Sequence, residues 1–279
     1  MTLLYRIIAL LPFEMLQWDF MKNALIAALL MAPLFGILST MIVTSRMSFF
    51  SDALGHSAFT GIAIGAICGF GEPTWVAVAF AVGFAILFSL VRSRSNRAAD
   101  TVIGVFSSTA VALGIFIATL DGGSFTKYNR YLIGDILSIT PAQIGLLALV
   151  LLCVGIFWVF LSNKLTLCAI HPQLAASRGI RAERIQGLFT VIIAVVVTLA
   201  ISWVGLLIIN SLLVLPAAAA RNISRNLKQY CGFSVLFALI AGLGGLILSY
   251  LLGASAGAAI CLLLALIFAI TFTLRKVRG

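Results

Sequence analysis

The chain has 279 residues, 62% of them hydrophobic and 9% charged, whereas a soluble globular domain carries about 25% charge. That balance excludes an ordinary cytosolic enzyme, because long apolar runs throughout the chain need lipid or neighbouring helices around them. The formal net charge is +10, from 18 Lys and Arg against 8 Asp and Glu. The basic residues sit in short clusters between apolar runs, which fits orientation in a bilayer and no nucleic-acid partner.

In chain order, residues 3–18 predict an amphipathic helix lying in the membrane interface, so residues 1–20 read as an interfacial segment. Glu14 and Asp19 follow a short apolar stretch without a small-residue cleavage site, unlike a removable signal peptide. Residues 21–279 read as a single transmembrane domain. At roughly 20 helical residues per crossing of about 30 Å of hydrocarbon, spans are predicted near 22–44, 53–70, 74–91, 101–120, 142–161, 185–204, 206–220, 231–252 and 256–274. The fold class is an all-α polytopic integral membrane protein with nine crossings, or eight if the short pair around Gly205 is one broken element.

Charge placement orients these spans. Arg46, Arg92, Arg94, Arg97, Lys164, Arg178, Arg181, Arg184, Arg221, Arg225, Lys228, Arg275, Lys276 and Arg278 all fall on one side. Only Arg6, Lys22, Lys127 and Arg130 fall on the other, so the expected C-terminus is cytoplasmic. The span from Leu206 to Ala220 is short and holds Pro216, which favours a kink. Tyr128 to Thr140 is too short to span and too apolar for a free loop, so a re-entrant or surface-lying segment is expected. Gly61, Gly65 and Gly69, at four-residue spacing, point to close helix packing. The five cysteines show no CxxC and no metal-ligand spacing.

Charge at membrane depth costs about 2.5–3.5 kcal/mol on insertion scales, so each such residue is a functional candidate. Asp52 and His56 lie four residues apart, on one face of a helix entering the membrane. A carboxylate and an imidazole one turn apart can chelate a divalent transition metal. The alternative is a helix start with Ser51 or Asp52 as N-cap and His56 bonded to a neighbour. Asp100 opens the fourth span and is either a cap facing the helix dipole or a third ligand. Three ligands with room for exchange suit transport better than a closed four-ligand cage. Glu72, Asp121 and Asp135 belong to the outer side, where they are solvated carboxylates or lower the barrier for an arriving cation. His171 reads as a solvated residue. The polar loop 162–184, with a short helical piece from Pro172 to Arg178 ended by Gly179, is either a docking element for a cytoplasmic partner or a plain connection. No GxxxxGK[ST], HExxH, GxSxG or Rossmann glycine pattern occurs, so no catalysis is expected within the chain.

SDALGHSAFTGIAIG (51–65), ADTVIGVFSS (99–108), YLIGDILSIT (131–140) and GLLIINSLLVLPAAAARNIS (205–224) resemble, in order, signature stretches of the zinc and manganese permeases of bacterial ATP-binding cassette importers. The resemblance spans roughly residues 20–275. It implies a homodimeric permease in the bacterial plasma membrane, paired with two cytoplasmic ATPase subunits that use the ATP. An extracytoplasmic metal-binding protein would deliver the ion, and the only small molecule bound would be the transported zinc or manganese. By motif position, Asp52, His56 and Asp100 would meet the metal. Residues 172–180, among them Pro172, Gln173, Leu174, Ala175, Arg178 and Gly179, would be the coupling helix that docks on the ATPase. Gln173 stands where the family pattern carries an acidic residue, and Ala99, where manganese importers carry Glu, tilts the cargo toward zinc. Manganese or ferrous iron as cargo, an ion-coupled secondary transporter and a non-transporting scaffold or sensor remain open at this point.

Overall fold

The computed structural model describes residues 14–69, 73–94, 99–120 and 135–278. These residues are helical almost throughout and contain no strand. A short 3-10 turn, Glu14–Gln17, precedes α1 (Asp19–Thr44), α2 (Phe50–Ile67), α3 (Pro73–Arg94) and α4 (Ala99–Leu120). After a 3-10 turn at Ile136–Ser138 come α5 (Pro141–Ile170), the short α6 (Pro172–Ser177), α7 (Ala182–Val204), α8 (Leu206–Ile223), α9 (Leu227–Leu252) and α10 (Ala256–Arg278). Apart from Glu14–Gln17, the expected interfacial helix over residues 3–18 lies outside the described residues.

Eight of these helices are long and apolar enough to cross a membrane. The ninth long helix, α2, falls short on composition because its 18 residues include Asp52, His56 and several glycines. The pair around Gly205 is two helices: Gly205 itself, at φ 94° and ψ 156°, takes a backbone conformation that side-chain-bearing residues avoid, and interrupts the helix between Val204 and Leu206. The polar loop expected from residue 162 begins later, since α5 continues to Ile170. Leu165 and Cys168, one turn apart, are both buried and hold that extension in place. Thirty helical residues measure roughly 45 Å, so α5 outruns the hydrocarbon and its polar end projects from it.

The chain forms two compact units, each discontinuous in sequence. In the unit made of Met1–Thr40, Asp135–Gly155 and Trp203–Gly279, hydroxyls join α1 to α9. Ser234 Oγ donates to the Gly36 carbonyl at 2.7 Å and lies 2.9 Å from Ser39 Oγ, while the Tyr230 hydroxyl reaches the Thr40 carbonyl. The backbones come close there, because a Cβ built on Gly36 would stand 2.8 Å from the Cα of Val235. The apolar turn at 136–138 is packed rather than free: Ile136 and Ile139 are buried, and the Asn23 amide donates to the Ile139 carbonyl. Residues 128–134 of the same apolar stretch lie outside the described residues.

The other unit, Met41–Gly134 and Ile156–Ser202, is centred on α2, which packs against both α3 and α4. Gly61 meets Ala77 and Gly65 meets Pro73, which sets α2 and α3 antiparallel. The same register pairs Phe50 with Phe88, whose rings stack at 4.6 Å. Between these contacts, buried Ala53 and Ser57 fall opposite buried Ala85 and Ala81. A row of small residues at every fourth position thus lets two helical backbones touch. On its other side, Thr60 Oγ1 donates to the Ala110 carbonyl of α4 at 2.7 Å. Arg92 then fixes the turn before α2 by donating to the Ser45 carbonyl at 3.2 Å, at the negative end of α1.

A Cβ on Gly61 would lie 2.5 Å from the Cα of Ala77, with backbone rather than a flexible side chain in the way. Gly61→Val is therefore expected to cost about 1–3 kcal/mol through overpacking. Ser234→Ala, which removes interhelical hydrogen bonds without steric conflict, is expected to cost about 0.6 kcal/mol. Thermal unfolding of the detergent-solubilised protein checks the order, and an unchanged midpoint for Gly61→Val would refute the close α2–α3 contact.

Candidate metal path

Two features of the sequence place Asp52 and His56. The residues from Phe50 onward form an uninterrupted helix, and its N-cap is Phe49, which makes no side-chain capping bond. Ser51 and Asp52 lie inside the first turn, and Ser51 Oγ donates back to the Ser48 carbonyl. The alternative that either is the N-cap therefore falls. One turn apart, the two side chains meet: His56 Nε2 stands 3.5 Å from Asp52 Oδ2.

That separation has a chemical meaning. Zinc bonds of about 2.0–2.2 Å at a tetrahedral angle hold two ligand atoms roughly 3.4 Å apart. The pair is thus spaced to bridge one small divalent ion. It is also reachable, with the His56 side chain 31% exposed and Asp52 47% exposed, on a helix otherwise mostly buried. Among the described residues, no group of three His, Cys, Asp or Glu side chains forms a metal site.

The register between α2 and α4 bears on a third ligand. Asp52, His56 and Thr60 follow one another at four-residue steps, and Thr60 is the residue bonded to α4. On α4, positions 103, 107, 110 and 114 form the stripe turned toward α2, with Ile103, Ala110 and Gly114 buried. The same spacing reaches position 100 in the first turn of α4. The side chain of Asp100 lies outside the described residues. The link that sequence reasoning missed is Thr60, and its signal was present in the eight-residue interval from Asp52.

The remaining candidates have local roles on view. Asp135 is exposed, and its carboxylate accepts the Leu137 N–H at 3.0 Å, capping the 3-10 turn. Asp121 and Glu72 lie outside the described residues. His171 is exposed and precedes α6 as its N-cap without a side-chain bond. Pro172 opens α6, and Gly179, at φ 71°, closes it: Gly179 N–H bonds to Ala176 and Ile180 N–H to Ala175. Ala175 is fully buried and anchors the short helix, while Gln173, Leu174 and Arg178 face outward. Beside it an open depression of about 670 Å³ is lined by Ala176, Gly179 to Ala182, Glu183 and Arg184.

Comparison with known proteins follows this geometry. Residues 17–275 match the ABC 3 transport family. The high-affinity zinc uptake system membrane protein ZnuB of Haemophilus influenzae is 26% identical over 260 residues, covering 93% of this chain and 99% of its own. The manganese import system permease protein ScaB of Streptococcus gordonii is 30% identical over 260 residues, covering 92% and 91%. Among solved structures, PsaBC from Streptococcus pneumoniae in complex with Fab superposes with a TM-score of 0.77 at 27% identity, covering 98% of this chain and 95% of that one. With its long apolar helices and a family match over nearly its whole length, the chain is a multi-pass membrane protein belonging to the ABC 3 transport family.

Proposed function

We propose that this chain is the permease subunit of an ATP-binding cassette importer that moves a divalent transition metal, zinc in the first place, into the bacterial cytoplasm. The observation that carries the reading is the Asp52–His56 pair, spaced 3.5 Å and partly exposed on a helix packed against α4. In this reading Asp52, His56 and Asp100 offer transient ligands. Neutral imidazole and carboxylate bind the ion, and a partly open ligand set lets it leave. Two copies of the chain, two cytoplasmic ATPase subunits and an extracytoplasmic metal-binding protein complete the importer. Residues 21–279 act as one permease domain. The exposed face of α6, with Leu174 at its centre, docks on the ATPase and converts ATP turnover into alternating access. Asp135 and, by its place in the sequence, Asp121 would serve an arriving cation on the outer side, and charge placement supports a cytoplasmic C-terminus.

Zinc is supported by Ala99, which stands where manganese importers of the resembled family carry Glu, and by the 26% identity to the Haemophilus influenzae zinc uptake protein. Manganese is the second reading, supported by the higher identity to the Streptococcus gordonii permease.

Uptake into vesicles carrying the chain with its ATPase and binding protein distinguishes these readings. ATP-dependent accumulation of zinc is expected, and accumulation of manganese alone would reverse the cargo. Asp52→Ala with His56→Ala is expected to reduce uptake at least by the roughly 10- to 100-fold that loss of an outer-shell partner causes. Normal uptake by that double variant, assembled with its partners, would sink the site.

Leu174→Asp, on the exposed face of α6, is expected to uncouple the complex, so that ATPase activity no longer responds to the loaded binding protein. A cysteine at position 174 should react with an impermeant maleimide only from the cytoplasmic side. Labelling from outside would overturn the orientation.

A further inference from the structure

Between α3 and α4 lies an open apolar groove of about 420 Å³. Phe80, Gly83 and Leu87 form one wall, and Val105, Thr109 and Leu113 the other. Its one hydroxyl, on Thr109, already donates to the Val105 carbonyl at 2.8 Å, so the lining offers nothing to water. The floor is stiff. Phe106 stands edge-on to both Phe84 and Phe88, at 5.3 and 5.5 Å, and Phe88 is fully buried against Phe50. A Cβ on Gly83 would meet nothing within 4 Å, so the space is real and is not closed by a neighbouring side chain. In a bilayer such a groove is filled by hydrocarbon, since water there would go without hydrogen bonds.

The charge at one end selects the hydrocarbon. Positions 80, 84, 87, 91 and 94 make one stripe along α3, so Arg94 stands on the groove's side of the helix, roughly 10 Å beyond Leu87. Arg94 is exposed, and among the described residues no carboxylate pairs with it. Its neighbour Arg92 is by contrast committed to the Ser45 carbonyl. A guanidinium at the end of a spanning helix, beyond an open apolar groove, matches a phosphodiester with an attached acyl tail. We propose that this groove binds one acyl chain of an anionic phospholipid whose phosphate is held by Arg94. The site is separate from the Asp52–His56 pair and does not depend on which metal is carried.

Native mass spectrometry of the full-length chain, purified from a membrane containing phosphatidylglycerol and phosphatidylethanolamine, tests the site. The wild type is expected to retain one phosphatidylglycerol per chain in preference to phosphatidylethanolamine. Arg94→Gln, at an exposed position, should keep a bound lipid but lose the preference. Gly83→Phe, which fills the groove, should lose retention of both lipids at least tenfold at an unchanged thermal midpoint. Equal retention of the two lipids by the wild type overturns the proposal, as does undiminished phosphatidylglycerol on Gly83→Phe. A shift of Gly83→Phe from dimer to monomer with lipid retention unchanged would instead assign the groove to a second copy of the chain, and also overturns it.

Discussion

Hydrocarbon offers no partner to a polar group, and that constraint shapes the whole unit around α2. A helix with a carboxylate and an imidazole in its first two turns cannot face lipid on all sides, given a cost of about 2.5–3.5 kcal/mol per charge. It is sheltered instead by two neighbours. The row Ala53, Ser57, Gly61 and Gly65 brings α3 into backbone contact, and Thr60 ties α4 to the adjoining face. What stays partly exposed is the Asp52–His56 end of the stripe whose next member, Thr60, is buried against α4. The packing that makes the polar helix tolerable in the membrane is the packing that sets where Asp52 and His56 emerge.

The other unit meets the same constraint with hydroxyls. Lipid tails are as apolar as leucine, so apolar area alone does not draw two spanning helices together, and close backbones and interhelical bonds take over. Ser39, Ser234 and Tyr230 supply those bonds between α1 and α9, where Gly36 permits the approach. Pro33 in α1 and Pro216 in α8 each delete one backbone hydrogen bond of their helix. Gly205 ends α7 outright. Breaks of this kind are carried where protein covers the freed backbone: Pro216 has Ile209, Leu212 and Leu213 buried in the preceding turns of its own helix.

Hydropathy made the number and order of the spans legible, because a run of about 20 apolar residues has few other fates. The 3.6-residue period likewise puts Asp52 and His56 on one face from the sequence alone. Less legible was where polar pieces of chain remain helical. Residues 162–170 read as loop from Asn163 and Lys164, yet Leu165 and Cys168 bury one face and the helix runs on into water. Nor did composition reveal the partner of α2. The glycine spacing announced a close contact, but only the contacts of Gly61 with Ala77 and Gly65 with Pro73 say that it is with α3. The facing of α2 and α4 rests on Thr60, a residue with no signal as a ligand.

The two seams of α2 differ in what meets there, backbone against α3 and side chains against α4. Against α3, Gly61 and Gly65 meet backbone atoms and the Cβ atoms beside them, so the helices cannot approach further and lose close packing at once if they part. Against α4, the close contacts at Gly114 are to side-chain atoms, the Phe59 ring and the Thr60 hydroxyl, both buried, and the hydroxyl is held by the Ala110 carbonyl. A change in spacing between α2 and α4 would have to break the Thr60–Ala110 bond or repack the Phe59 ring, whereas a change between α2 and α3 would separate backbones in contact. An ion held by ligands on both α2 and α4 would feel a change at that second seam directly.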